Sequence, residues 1–251
     1  MRFLKYGLVG LAVYLLFLLV TLPMAWVWKL APVPSGVELN GLQGSVWKGQ
    51  AAQLKVADRT LEQLSWELYP SRLLMGQAAL SFRVDGTDVQ GQGDVRYGLG
   101  GLDAEGLRFS APIGWLVGDA RLPLRTQLAG NVTLNLSRLE QGEPWCEQLN
   151  GRLLVDALDV RNQFGHYPLG NMAGSLGCQQ GNVQLLLDGA ENQIGVEGQA
   201  LLLANNQVEV DALIRETDNQ PQDLRQALQF LGKPNADGAY PITYNGALPG
   251  L

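Results

Sequence analysis

Histidine is all but missing from this chain: His166 is the only one among 251 residues. A zinc site built on the two cysteines, Cys146 and Cys178, would need two further ligands, and one imidazole cannot supply both. Ser175, in the AGSLG of residues 173–177, comes near a nucleophile elbow. No helical pattern follows it, however, and His166 precedes it where the elbow's histidine comes later. Complete phosphate loops are missing too. GQG at 91–93 and GLGG at 98–101 neither finish a G-x-G-x-x-G nor lead into a helix, and the Gly-Lys pair of LGKP has no Walker context. Together these gaps leave no constellation for catalysis, so the expectation is a protein that is not an enzyme and takes no metal and no cofactor. A basic excess is also lacking. With 18 Lys and Arg against 24 Asp and Glu, no positive stripe exists to release counterions from a phosphate backbone, which excludes a nucleic-acid partner.

What the chain does have is an uncharged run of 23 residues, 6 to 28, between Lys5 and Lys29. At about 1.5 Å per residue, a helix of that length crosses the roughly 30 Å hydrocarbon layer of a membrane. Arg2 and Lys5 precede it, which places a short tail, 1–5, in the cytoplasm and the remainder, 29–251, outside. Tyr6 opens the span, Trp26 and Trp28 fall where an interfacial aromatic belt lies, and Pro23 sits near the outer end, where a helix stop costs little. A cleaved secretory signal would have an apolar core of only about 7–15 residues, ending in small side chains. Here the run is longer, and Trp and Lys stand where the small residues belong. The reading is an uncleaved signal anchor.

Of the charged residues, only Arg2 and Lys5 lie in the first 28, leaving 16 basic against 24 acidic residues in the exterior part. Both cysteines are there as well. An even pair in an oxidising compartment is most simply a disulfide, closing a loop of about 33 residues for roughly 3–4 kcal/mol on the chain-entropy model.

Periodicity in the exterior part is that of strands. AALSFRV at 78–84 puts Ala78, Leu80, Phe82 and Val84 on one face, and GNVTLNL at 130–136 does the same with Val132, Leu134 and Leu136. Similar runs recur every 8 to 14 residues or so, separated by Gly, Asn and Asp, which predicts a mainly β, antiparallel meander with one buried face. Two strand-rich blocks, 37–136 and 150–215, flank the irregular SRLEQGEPWCEQLN and read either as one curled sheet or as two lobes. One exterior helix is expected, at about 221–232, with Pro221 in its first turn and a stripe of Leu224, Leu228 and Leu231. A last strand follows at about 239–246.

Two stretches remain, GSVWKG at 44–49 and WELYPSRLLMG at 66–76. Gly44, Trp47 and Gly49 form a G-x-hydrophobic-W-x-G feature; Trp66, Pro70, Leu73, Leu74 and Gly76 form a W-x-hydrophobic-x-P-x-x-L-hydrophobic-x-G feature. With the single anchor, the cysteine pair and GAYPITYNGAL near the end, the whole chain resembles the type II secretion system protein N family, also called general secretion pathway protein N. That resemblance implies a periplasmic domain tethered to the inner membrane of a Gram-negative bacterium. It implies an accessory subunit that supports export of folded proteins through contacts with other inner-membrane or periplasmic subunits. Looser kin have AsmA-like β architecture, which leaves an alternative: a periplasmic lipid-binding or lipid-transfer protein with a lipid ligand. Trp47 and Trp66 are expected to pack at the end of a sheet or to anchor a partner, their neighbouring glycines giving tight turns.

Overall fold

A computed structural model describes residues 2–30, 36–57, 59–118, 122 and 125–247. Met1 of the expected tail, residues 31–35 after the expected anchor and the terminal 248–251 lie outside the described residues.

The uncharged run does not form one helix. Helix α1 spans Arg2–Val20 and α2 spans Met24–Leu30. Pro23 has no N–H to continue the ladder and disfavours helical geometry in the residue before it. The chain therefore leaves α1 through Thr21, whose side-chain hydroxyl and N–H both donate to Phe17 O, at 2.7 and 3.0 Å. Trp26 and Trp28 thus belong to α2 rather than to the end of a single 6–28 span. Among the described residues, no helix is long and apolar enough to cross a membrane.

Everything else is organised by one sheet. Its first half comprises β1 (Val37–Asn40), β2 (Gln43–Gly44), β3 (Lys48–Val56), β4 (Arg59–Leu68), β5 (Ala78–Asp85), β6 (Gln90–Gly98) and β7 (Gly101–Pro112). Its second half comprises β8 (Gln127–Gln141), β9 (Cys146–Asn162), β10 (Gly165–Gln179), β11 (Asn182–Leu187), β12 (Val196–Leu202), β13 (Gln207–Arg215) and β14 (Ala239–Ala247). From β3 onward each strand pairs antiparallel with the next, and β1 and β2 both pair with β3. The order is an open meander, so β1 and β14 are its edges. The boundary expected between two lobes is absent: β8 and β9 pair through it from Gln127↔Arg161 to Gln141↔Cys146, and SRLEQGEPWCEQLN is the tip of that hairpin. The blocks 37–136 and 150–215 are one sheet.

Alternation sets the faces. Leu64 lies opposite Val84, Trp66 opposite Phe82, Leu80 opposite Val95, and Phe109 opposite Leu134, so the apolar side passes from strand to strand in register. A bulge between Leu136 and Arg138 lets Leu139, three residues on from Leu136, return to the same side; both join Cys146 and Leu149 in one core cluster. A second cluster gathers Ile194, Val196, Ala212, Ile214 and Leu228.

Since the strands alternate in direction, successive turns fall at opposite ends. The distal end is closed by helices. Helix α4 (Ile113–Val117) follows β7 directly, and its Trp115 donates to Thr60 O at 3.3 Å while the Arg59 guanidinium lies 5.8 Å from the ring centre. Helix α5 (Gln222–Leu228) covers the other core cluster with Leu228, only 2% exposed, and with Leu224. It continues as a short 3-10 turn to Leu231, close to the expected 221–232, but Leu231 is exposed and does not extend the stripe. The opposite, proximal end receives the N-terminal helices and carries a four-residue helix, α3 (Pro70–Leu73), in the β4–β5 loop.

Candidate functional site: the junction of helix and sheet

The loop 45–47 between β2 and β3 is where the chain's start meets its sheet. The last carbonyls of a helix have no partner within it. Here the sheet supplies one: the Trp47 indole N–H donates to Leu19 O at 2.8 Å. The exchange continues past the helix end, with Val46 N donating to Leu22 O at 3.0 Å and Pro23 bridged to Ser45 in antiparallel fashion. Thus Pro23, which stops α1, also pairs with the sheet.

Trp66 supports the same loop from below. It stands opposite Gly49 on the neighbouring strand, and its indole N–H donates to Val46 O at 3.1 Å. The two glycines are required by this geometry. A Cβ on Gly49 would fall 2.5 Å from Trp66 Cζ2 and 2.8 Å from Gln43 O, so only glycine lets the indole lie against the strand. Gly44 has φ +88°, and a Cβ there would fall 2.5 Å from Lys48 O. The turn between them is closed by Ser45 N donating to Lys48 O at 2.9 Å. Leu68 N donates to Trp47 O at 2.6 Å, which ties the junction to the strand that enters the second motif.

That motif forms a separate structure beside the first. Pro70 occupies the first turn of α3, where its missing N–H costs nothing. Gly76 takes φ +75° with open space around it, so its role is the backbone turn. Leu73 and Leu74 are exposed and pack against no core.

The structure therefore brings Pro23, Gly44, Trp47, Gly49 and Trp66 together, with Pro70, Leu73, Leu74 and Gly76 on the adjoining loop. Tyr6, 72% exposed, lies on the far part of α1, and Trp26 is exposed on α2, which rests against β2. Both tryptophans of the motifs are half-buried: they pack at the end of the sheet, and what Trp47 anchors is the chain's own helix. Sequence reasoning missed Leu19 and Leu22, which act through main-chain carbonyls that no side-chain pattern reveals.

Cys146 and Cys178 are joined, with Cα atoms 6.1 Å apart. They lie on β9 and β10, five strands from β4 and so about 24 Å away at roughly 4.8 Å per strand. Beside them, Trp145 N and Cys146 N both donate to Gly181 O, and the Trp145 indole reaches Leu203 O at 2.9 Å. This network holds three proximal turns to one another.

The residues nearest to a catalytic set are kept apart. His166 bonds to Asp159 at the distal hairpin of β9 and β10, and this hydrogen bond holds the Asp159 carboxyl below its ordinary value. Ser175 is nine residues further along β10, about 30 Å at 3.3 Å per residue. Among the described residues, no three His, Cys, Asp or Glu side chains gather as they would around a metal ion.

Comparison with known proteins bears on what such a junction serves. Residues 35–243 match the family model described as type II secretion system (T2SS), protein N. The chain is 30% identical to the type II secretion system protein N of Vibrio cholerae, over 98% of this chain and 99% of that protein. It is 32% identical to the protein of that name from Aeromonas hydrophila, over 95% and 96% of the two chains. With that from Pectobacterium carotovorum it shares 23% identity over 86% of each. No solved structure matches the chain. The chain belongs to the type II secretion system protein N family.

Proposed function

We propose that this chain is an accessory subunit of the type II secretion system, held in the inner membrane by α1, with its sheet in the periplasm. On this reading it acts through contacts with other subunits and not through chemistry. The observation that carries the reading is the junction: Trp47, Val46 and Ser45 bind the last turn of an apolar helix and the residues after it. A sheet attached in this way keeps a set orientation to the helix, as a scaffold requires.

Further support comes from α1 itself. Leu11, Val13, Tyr14, Leu15, Phe17 and Leu18 are all exposed, so apolar side chains face outward around the helix with nothing covering them. Its 19 residues rise about 28 Å, so α1 by itself falls short of a crossing, and the Thr21–Leu22 turn adds the rest of the roughly 30 Å hydrocarbon layer. Pro23 and α2 then lie in the interface, where Trp26 and Trp28 find the environment that suits an indole. Arg2 and Lys5 orient the N-terminus to the cytoplasm.

A second reading, transport of lipid, is favoured by one observation. The apolar face of the sheet runs through strand after strand with many of its large residues, Leu64, Phe82, Leu134 and Leu153 among them, only half-buried. A deletion strain separates the two. The subunit reading predicts that enzymes normally exported accumulate in the periplasm, while outer-membrane lipid composition is unchanged. Normal export with altered lipid composition would overturn it in favour of the lipid reading.

A further inference from the structure

Among the described residues beyond 36, eleven large apolar side chains are exposed, and six of them stand on two neighbouring turns of the proximal end. Tyr69, Leu73, Leu74 and Met75 are on the β4–β5 loop, and Tyr97 and Leu99 are at the β6–β7 turn. Leu74 is 92% exposed and Leu99 107%. The two turns touch: a Cβ on Gly98 would come 3.1 Å from Gln77 Cγ and 3.6 Å from Gly76 O. In water, each such leucine leaves its apolar surface unburied.

From this we infer that the two turns form a second membrane contact, in which Leu74, Met75 and Leu99 enter the surface of the bilayer that holds α1. The inference rests on the membrane reading of α1 proposed above. Position carries it. Trp47 holds the last turn of α1 and accepts from Leu68 N, and Leu68 directly precedes Tyr69, so the apolar loop starts where the helix ends. Tyr69 and Tyr97 flank the aliphatic tips, as aromatic residues do at the headgroup level. The loop is also built to leave water. Arg72 O accepts from both Met75 N and Gln77 N at 3.0 Å, and Leu73 O accepts from Gly76 N at 3.0 Å, so these three N–H groups keep their partners on entry. Arg72 itself is exposed at the base of the tip, placed for a lipid phosphate.

The remaining proximal turns are of another kind. Gly142-Glu143-Pro144, Gln180-Gly181 and Ala204–Asn206 bear no exposed large apolar side chain. Among the described residues, only the strands next to the helix present such tips, which is the arrangement a sheet leaning on the membrane from one side requires. Anchoring by α1 together with a shallow contact fixes the sheet's tilt, which one helix alone leaves free.

The test uses the full chain in vesicles of phosphatidylethanolamine and phosphatidylglycerol whose acyl chains carry spin labels both near the headgroups and at mid-chain. Four variants, Leu11→Cys, Leu74→Cys, Leu99→Cys and Phe164→Cys, each receive one fluorophore at an exposed site. Emission at 74 and 99 should fall about twofold, as at 11, and emission at 164 on the distal end should not change. Quenching at 11 without quenching at 74 or 99 overturns the second contact and leaves the helix in the membrane. No quenching at 11 overturns both readings. Quenching at 164 equal to that at 74 overturns the orientation, and burial of the label at 74 only when other secretion subunits are added assigns the patch to a protein and overturns the lipid contact.

Discussion

At the scale of single residues, the glycine-tryptophan stretches are explained by close approach. Gly49 exists to let Trp66 lie against β3, and Trp66 in turn holds Val46 O, so a methyl group at 49 must push either the indole or the Gln43 and Ser45 backbones aside. Gly49→Ala should cost about 1–3 kcal/mol, as overpacking at a rigid site does, read as a lower urea midpoint of the purified full chain. Trp47→Phe removes the indole N–H and keeps most of the ring. It should cost about 1–3 kcal/mol, because the Leu19 carbonyl at the end of α1 loses its donor. No loss for Trp47→Phe would mean that the junction is held by packing alone.

Among the elements, the disulfide acts on a different part of the sheet. It joins the start of β9 to the end of β10 beside the Trp145 network. Cys146→Ser should lower the unfolding midpoint by roughly 3 kcal/mol of stability without loosening α1 from the sheet, since about 24 Å separates the two sites. A loss of the helix contact in that variant, seen as faster amide exchange at Val46, would show the sheet to be more tightly coupled than its strand-by-strand pairing implies.

Strands such as β5 and β8 were legible because one face is wet, so apolar residues recur at every second position in Leu80, Phe82 and Val84. Helix α5 was legible through Pro221 and the spacing of Leu224 and Leu228. The β8–β9 hairpin was not, because its charges, glycine and prolyl residue imitate a domain boundary while the pairing that unites it lies across strands. Helix α4 escaped notice because IGWLV directly continues the apolar end of β7. In the site, the need for glycine at 44 and 49 could be read from sequence, but the partner of Trp47 could not: it is a main-chain carbonyl 28 residues away.

For the molecule as a whole, one direction runs from α1 through the junction into the sheet, with apolar turns at the proximal end and helices α4 and α5 closing the distal one. This asymmetry explains why an acidic, mainly β domain carries such a start: the end of the helix is bonded to the sheet through Trp47, Val46 and Ser45. The most direct measurement is therefore secretion by cells in which residues 1–28 are replaced by a cleavable signal, releasing the sheet into the periplasm. The account predicts a folded, disulfide-bonded domain at normal abundance while exported enzymes remain in the periplasm. Normal export with the free domain would contradict it, because the junction and the membrane would then be dispensable.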